Sequence, residues 1–184
     1  MATTAKVVCP VKAAALTLLI ASAVASVGCE RGRRAYLAAS RKVIRNVTTA
    51  MLPTVKEGQY LVIDREYYSA RPVRRFDMII VKDPQGTKAA DGSDTFLFNR
   101  VVGLGGEKVE VRGGTLYLDG KPLREPFAIV PHDRSEEFGP YVIPQGEYFL
   151  LGDNRPNSFD SRYWDKPSVD KSFIYAKVTE IFSE

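Results

Sequence analysis

Gly152-Asp153-Asn154-Arg155-Pro156-Asn157-Ser158-Phe159-Asp160-Ser161-Arg162 is the stretch that decides how this chain is read. An apolar run, Tyr148-Phe149-Leu150-Leu151, leads straight into its glycine. On its own Gly-Asp-Asn is a hairpin turn and Asp-Ser-Arg a solvated loop. It gains meaning from three segments that precede it in fixed order: Thr48-Thr49-Ala50-Met51-Leu52-Pro53-Thr54, then Arg75-Phe76-Asp77-Met78-Ile79-Ile80, then Asn99-Arg100-Val101-Val102-Gly103-Leu104-Gly105-Gly106-Glu107. Each is unremarkable alone; all four in order are improbable by accident.

The sequence between and around these segments reads as strands. Tyr60-Leu61-Val62-Ile63-Asp64, Met78-Ile79-Ile80-Val81 and Phe96 to Val102 are short apolar or β-branched runs, and Asp83-Pro84 marks a turn. Lys108-Val109-Glu110-Val111-Arg112 alternates polar and apolar residues, as a half-buried strand does. Gly113-Gly114 turns the chain, Thr115-Leu116-Tyr117-Leu118 returns, and Asp119-Gly120 turns it again. Phe173 to Val178 closes the series, and residues 85–95 are expected as an irregular polar loop. The expected fold is mainly β, an antiparallel and barrel-like domain, with an N-terminal anchor or signal helix.

The four segments together resemble the signature boxes of type I signal peptidases, membrane-anchored Ser/Lys proteases, over residues 13 to about 180. The resemblance implies roles residue by residue. Ala50 stands where the family has its nucleophilic serine, and Asn99 where it has its lysine base. Thr48 stands where a hydroxyl serves the oxyanion hole. Ser158 matches the serine that hydrogen-bonds the lysine. Asp153 and Asp160 match carboxylates that pair with the arginines matching Arg100 and Arg162. Met51 and Pro53 fall at the peptide-binding positions. Three further departures are Gln59 for an Asp, Phe76 for a Gly and Gly105 for a Pro. They point to a natural sequence that has drifted rather than a single designed Ser→Ala change.

Ser/Lys chemistry needs a hydroxyl beside a neutral amine that takes its proton. The methyl of Ala50 attacks nothing and the amide of Asn99 is not basic. Removing such groups from other serine proteases leaves only about 10³ to 10⁴ over water. The expected activity is therefore that of an inactive peptidase body, a peptide-binding or accessory subunit that takes an extended chain by strand addition. The alternative is an active peptidase using Thr48 or Thr49. Thr49 points away from position 50's face in an extended segment, and Thr48 would have to leave the oxyanion position. Lys56, Lys82 and Lys108 lie nearby in sequence, none at the base position. The two exchanges also make sense together: a neutral Asn in place of a buried Lys leaves Ser158 a hydrogen-bond partner without stranding a charge.

The bulk numbers fit one domain with a short appendage. The chain has 184 residues, a hydrophobic share of 45%, a charged share of 26% and a net charge of +4. Organisation is expected as a short basic N-terminus (1–12), an apolar anchor or signal segment (13–29), a basic juxtamembrane connector (30–46) and the β domain (47–184). Ala13 to Gly28 is shorter than the ~20 apolar residues of a spanning helix. It admits three readings: an uncleaved anchor, a lipoprotein signal lipidated at Cys29, or a cleaved signal peptide. Two Lys precede it and six Lys/Arg follow it closely (Arg31, Arg33, Arg34, Arg41, Lys42, Arg45). The positive-inside rule would then favour a cytoplasmic domain; the resemblance implies the outer face, which is the expectation adopted. Those basic residues read as lipid headgroup contacts, not a nucleic-acid surface, because no aromatics interleave with them apart from Tyr36. Expected partners are membrane lipids, signal peptides or other extended peptides, and a membrane protein complex, with no nucleic acid. Both cysteines, Cys9 and Cys29, lie in the leader, so the domain has no internal disulfide and no thiol nucleophile. The only histidine, His132, builds no His-rich metal site and has no nucleophile motif beside it. No metal and no cofactor is expected.

Overall fold

The computed structural model describes residues 41–131 and 135–183. Cys9, Cys29, the apolar segment and His132 lie outside the described residues, and the anchor, lipidation and histidine readings lie there with them. Among the described residues no helix is long and apolar enough to cross a membrane.

The strands are β1 (Arg41–Arg45), β2 (Tyr60–Asp64), β3 (Met78–Lys82), β4 (Phe96–Leu104), β5 (Lys108–Arg112), β6 (Thr115–Leu118), β7 (Lys121–Pro122), β8 (Phe138–Val142), β9 (Glu147–Leu151), β10 (Val169–Asp170) and β11 (Ile174–Phe182). All their pairings are antiparallel. Seven form one sheet, in the order β1-β2-β11-β3-β4-β9-β10, and four a smaller one, β7-β6-β5-β8. The mainly β architecture is thus as the sequence pattern expects. Register shifts in β11 and β4 bend the larger sheet.

Period-two alternation sorts the side chains into cores. On β3 and β4, Ile79, Val81, Leu97 and Val101 face one cluster with Tyr68, Leu150 and Trp164. Ile80 and Phe98 face another with Met51, Val55, Leu61, Ile63 and Val178. This explains why β3 reads as an unbroken apolar run: both its faces are covered. A third cluster joins Val109, Val111, Leu116 and Leu118 of the small sheet to Val102, Phe149 and Leu151 of the large one. The small sheet therefore packs against β4 and β9 of the large one, the strands that carry Asn99, Arg100 and the entry to Gly152.

Two expectations change. The connector 30–46 ends in a strand: Arg41 to Arg45 pair residue by residue with Asp64 to Tyr60 of β2. Its alternating Arg/Val/Ile content, read as juxtamembrane charge, also suits a sheet edge, where basic side chains deter further pairing. The loop 85–95 is more ordered than its composition indicates, because Lys88 and Asp94 form a β-bridge and an ion pair.

The three other positions that depart from the boxes have local reasons. Phe76 holds the φ of +72° that a glycine would take freely, and its ring meets Phe127 edge-on at 5.3 Å. At Gly105 any Cβ would fall 2.7 Å from the Gly146 nitrogen and 2.8 Å from the Pro144 oxygen, so a proline does not fit this backbone. Gln59 closes its own turn, accepting from the Lys56 N–H at 2.7 Å and donating to Ser183 at 3.2 Å.

Candidate functional site

The turn that carries Ala50 is built by Asn46. Its side chain, 1% exposed, donates to the Thr48 and Lys56 carbonyls, both at 2.9 Å, and accepts from the Thr48 N–H at 3.3 Å. Thr48 is buried, and its hydroxyl accepts the Ala50 N–H at 3.1 Å. The hydroxyl expected at the oxyanion position thus already has a partner within the domain. The next turn places Met51 in the core with no exposed surface, which corrects its assignment to a peptide groove; Pro53 remains exposed. An apolar side chain at the turn's root is needed to dock it on the sheet.

The Gly152 loop grips this turn from the other side. The Asn154 N–H donates to the Ala50 carbonyl at 2.9 Å, and the Asn154 side chain to the Thr49 carbonyl at 3.1 Å. Gly152 is required by the closeness of approach. A Cβ there would lie 2.1 Å from the Ser158 Oγ and 2.7 Å from the Ala50 oxygen. Ala50, Gly152 and Ser158 therefore meet at one corner, and Asn99 reaches it from β4. Asn99, 1% exposed, donates from Nδ2 to the Ser158 Oγ at 3.5 Å, a long contact, while its Oδ1 is buried without a partner.

Around that corner lies a frame of charge pairs. Arg100 meets Asp153 through two bonds, Nε at 2.8 Å and Nη2 at 2.6 Å, and its Nη1 donates to the Phe76 carbonyl at 3.0 Å. Thr54 adds a 2.5 Å bond to Asp153. Arg162 meets Asp160 the same way, Nε and Nη2 both at 2.7 Å, and also pairs with Glu136. Asp160 accepts the Gly152 N–H at 3.0 Å, which ties this pair to the corner. Full burial pushes the Asp160 carboxyl up to about 7, against the pull of the Gly152 N–H and Ser158. Burial likewise lowers Arg162 to about 10.

Sequence reading did not single out a third pair. Arg155, 1% exposed, donates to the Gly152 carbonyl at 3.0 Å and to Glu125 at 2.6 Å. Burial raises the Glu125 carboxyl, and Arg155 opposes this. Glu125 opens a strap that runs beneath the loop. Its Phe127 ring lies 4.0 Å from the Arg100 guanidinium. Its Ile129 N–H donates to the Asp153 carbonyl at 2.7 Å, and its carbonyl accepts the Arg155 N–H at 3.0 Å. Arg155 lies inside the stretch from Gly152 to Arg162, but Glu125-Pro126-Phe127 carries no periodicity that could mark it.

What this arrangement can do chemically is limited. The lysines weighed as substitute bases are engaged elsewhere: Lys82 with Asp94 at 2.9 Å and Lys108 with Glu110 at 3.1 Å, while Lys56 is exposed on its turn. Lys177 pairs with Asp77. Among the described residues no group of acidic, His or Cys side chains forms a metal site.

Comparison with known proteins bears on the whole arrangement. The family model described as "Signal peptidase, peptidase S26" matches residues 13–183. A probable signal peptidase I-2 of Synechocystis sp. is 34% identical over 72% of this chain and 58% of its own. A signal peptidase I of Leptolyngbya laminosa is 35% identical over 72% of this chain and 64% of its own. The signal peptidase I V of Bacillus subtilis is 33% identical over 68% of this chain. A crystal structure of a signal peptidase I from Enterococcus faecalis shares 30% identity over 59% of this chain and 98% of that one, with a TM-score of 0.47. The chain spans about three-fifths of the length of the first two relatives. With three of its four boxes meeting at one corner and a family model covering nearly all of it, this chain belongs to the signal peptidase family, peptidase S26.

Proposed function

We propose that this protein is a signal-peptidase body without peptidase activity, one that binds an extended peptide at the Ala50 corner and releases it uncut. The observation that carries the reading is the pair of side chains at the centre: a methyl at Ala50, and at Asn99 a buried amide in contact with Ser158. Neither supplies a nucleophile or a base. The alternative, a threonine peptidase, finds little support. The Thr48 hydroxyl is buried and already accepts the Ala50 N–H, and the candidate lysines are paired or exposed. Peptide binding is supported by the intact corner, where Ala50 and Thr49 are half-exposed and the Ala50 N–H and Thr48 hydroxyl sit together. The reading includes attachment at a membrane with the β domain on the outer face, resting on the apolar segment 13–29 and on the family.

The test is incubation of the full chain, and of its Ala50→Ser/Asn99→Lys double variant, with a preprotein carrying an Ala-x-Ala site. The natural chain is expected to leave it intact and the double variant to cut it. Cutting by the natural chain would sink the reading; the threonine alternative would then require that Thr48→Val or Thr49→Val abolish it.

A further inference from the structure

Where β3 ends and β4 begins, the surface holds an open groove of about 360 Å³. Ala50, Asn99 and Ser158 are not among its walls, so what fills it is independent of the corner. β11 shifts register between Ile174 and Ala176, which leaves Tyr175 as an extra residue with no opposite on β3. A bulge of this kind re-aims a side chain out of the regular alternation. Here the Tyr175 ring lies 4.6 Å from that of Phe96, and both rings are partly exposed along the groove. The Arg65 guanidinium lies over the same Tyr175 ring, 4.6 Å from its centre. Arg65 is exposed, and among the described residues it has neither a carboxylate nor a hydrogen-bond acceptor. The ring positions the guanidinium and takes none of its N–H donors.

The other charges of the groove decide what suits it. Lys82 meets Asp94 at 2.9 Å, and Asp94 also pairs with Lys88. Glu66 lines the groove next to Arg65. Three cations, Arg65, Lys82 and Lys88, stand against two carboxylates, Glu66 and Asp94, an excess of one positive charge. That balance suits a single carboxylate; a phosphate, with nearly twice the charge, would face Glu66 with one cation too few. Exposed ion pairs contribute little by themselves, so recognition has to draw on the aromatic wall as well. A flat apolar ring has a place there, against Phe96 and Tyr175. We propose that this groove docks a segment of a partner protein in which an aspartate or glutamate adjoins an aromatic residue. The carboxylate accepts two N–H groups of Arg65, whose planar fork matches it two to two, and the neighbouring ring packs on Phe96 and Tyr175. The domain thereby has a second binding surface, one that holds a protein by its acidic motif while the Ala50 corner stays free.

The experiment is a titration of the full chain followed by fluorescence anisotropy. The probe is a labelled peptide amide, Gly-Ser-Trp-Asp-Gly, with counterparts carrying Asn or phosphoserine in place of the Asp, or Ala in place of the Trp. The Asp peptide is expected to bind with a Kd of about 1 mM and the Asn peptide about tenfold more weakly. Ala for Trp should weaken binding about fivefold. Arg65→Gln, a change on an exposed side chain, should leave the denaturant midpoint unchanged and bring the Asp peptide to the level of the Asn peptide. Glu66→Gln should tighten the Asp peptide about twofold and leave the Asn peptide as it was. Equal binding of the Asp and Asn peptides, an Asp peptide indifferent to Arg65→Gln, or a Trp exchanged for Ala without loss overturns the proposal. Absence of binding at about 10 mM overturns it too. Tighter binding of the phosphoserine peptide, lost with Arg65→Gln, would overturn the carboxylate in favour of a phosphate.

Discussion

Asn99 and Arg100 are neighbours on one strand, and they are served very differently. Arg100 has a two-bond carboxylate partner, a backbone carbonyl and an aromatic ring against its guanidinium. Asn99 has one long contact and one unused oxygen. The frame around the site is a folding device: it ties β4, the Gly152 loop and the 46–54 turn together whether or not chemistry takes place inside. The centre contributes little to that fastening. A likeness carried by the frame therefore identifies the fold and leaves activity to be decided at two side chains.

The contrast is broken most forcefully from the frame side. Asp153→Ala leaves Arg100 buried without its carboxylate and strips Thr54 of a partner, and is expected to cost about 3–5 kcal/mol in urea unfolding. A loss below 1 kcal/mol would mean that the pair does not hold the domain together. At the centre, Asn99→Lys should cost about 3 kcal/mol at neutral pH, because an ammonium is buried with no carboxylate opposite it. The loss should shrink as the pH is raised and the buried amine is neutralised. Stabilisation instead would end the idea that Ala50 and Asn99 are coupled replacements.

Gly152→Ala, at the joint between frame and centre, forces a methyl against Ser158 and the Ala50 carbonyl. About 2 kcal/mol of destabilisation is expected, together with weakened peptide binding; retention of both would show that the joint is slack. An effect set by pH concerns Asp160. Its carboxyl, raised from 3.8 to about 7, keeps in the folded state a proton that the unfolded chain releases. Its contribution to stability is thus greatest at low pH and is lost as the pH climbs toward about 7. Measured against Asp160→Asn, the natural chain should lose stability over that window by at most about 1.4 kcal/mol per pH unit. A difference that grows with pH would contradict the raised value. Smallest is Phe76→Gly. Relief of the left-handed backbone offsets loss of the Phe127 contact, so the midpoint should change by less than about 1 kcal/mol.

Much of the fold was legible in the residue pattern. β5 and β6 fall on the residues expected from alternation and from the two glycines between them, and β2, β3, β4 and β9 agree within a residue or two. Where the pattern was weak, the strand depends on its partner. β8, interrupted by Gly139-Pro140, is a strand because β5 pairs with it. β1 was hidden by its own charges, since the same arginines suit a lipid surface and a sheet edge. Within the site, Arg100, Asp153, Asp160, Arg162 and Ser158 could be named because each sits in a box. Glu125 and Phe127 could not, because their partners are distant in sequence and nothing local marks them. Met51 misled for the opposite reason: its place beside Ala50 suggested a ligand contact, whereas its apolar side chain is drawn into the sheet's core.

The edge strand has a mechanical meaning. Arg41 to Arg45 are bonded to β2, and only the short turn from Asn46 to Thr49 separates them from Ala50. No slack tether intervenes between Arg41 and the Ala50 corner. Tension applied to the chain ahead of Arg41 would load the β1–β2 ladder and, through Asn46, tilt the Ala50 turn against its loop. On the proposed peptide-binding reading, grip would then vary with the pull on the polypeptide that leads into the domain, as a lever transmits effort across its fulcrum.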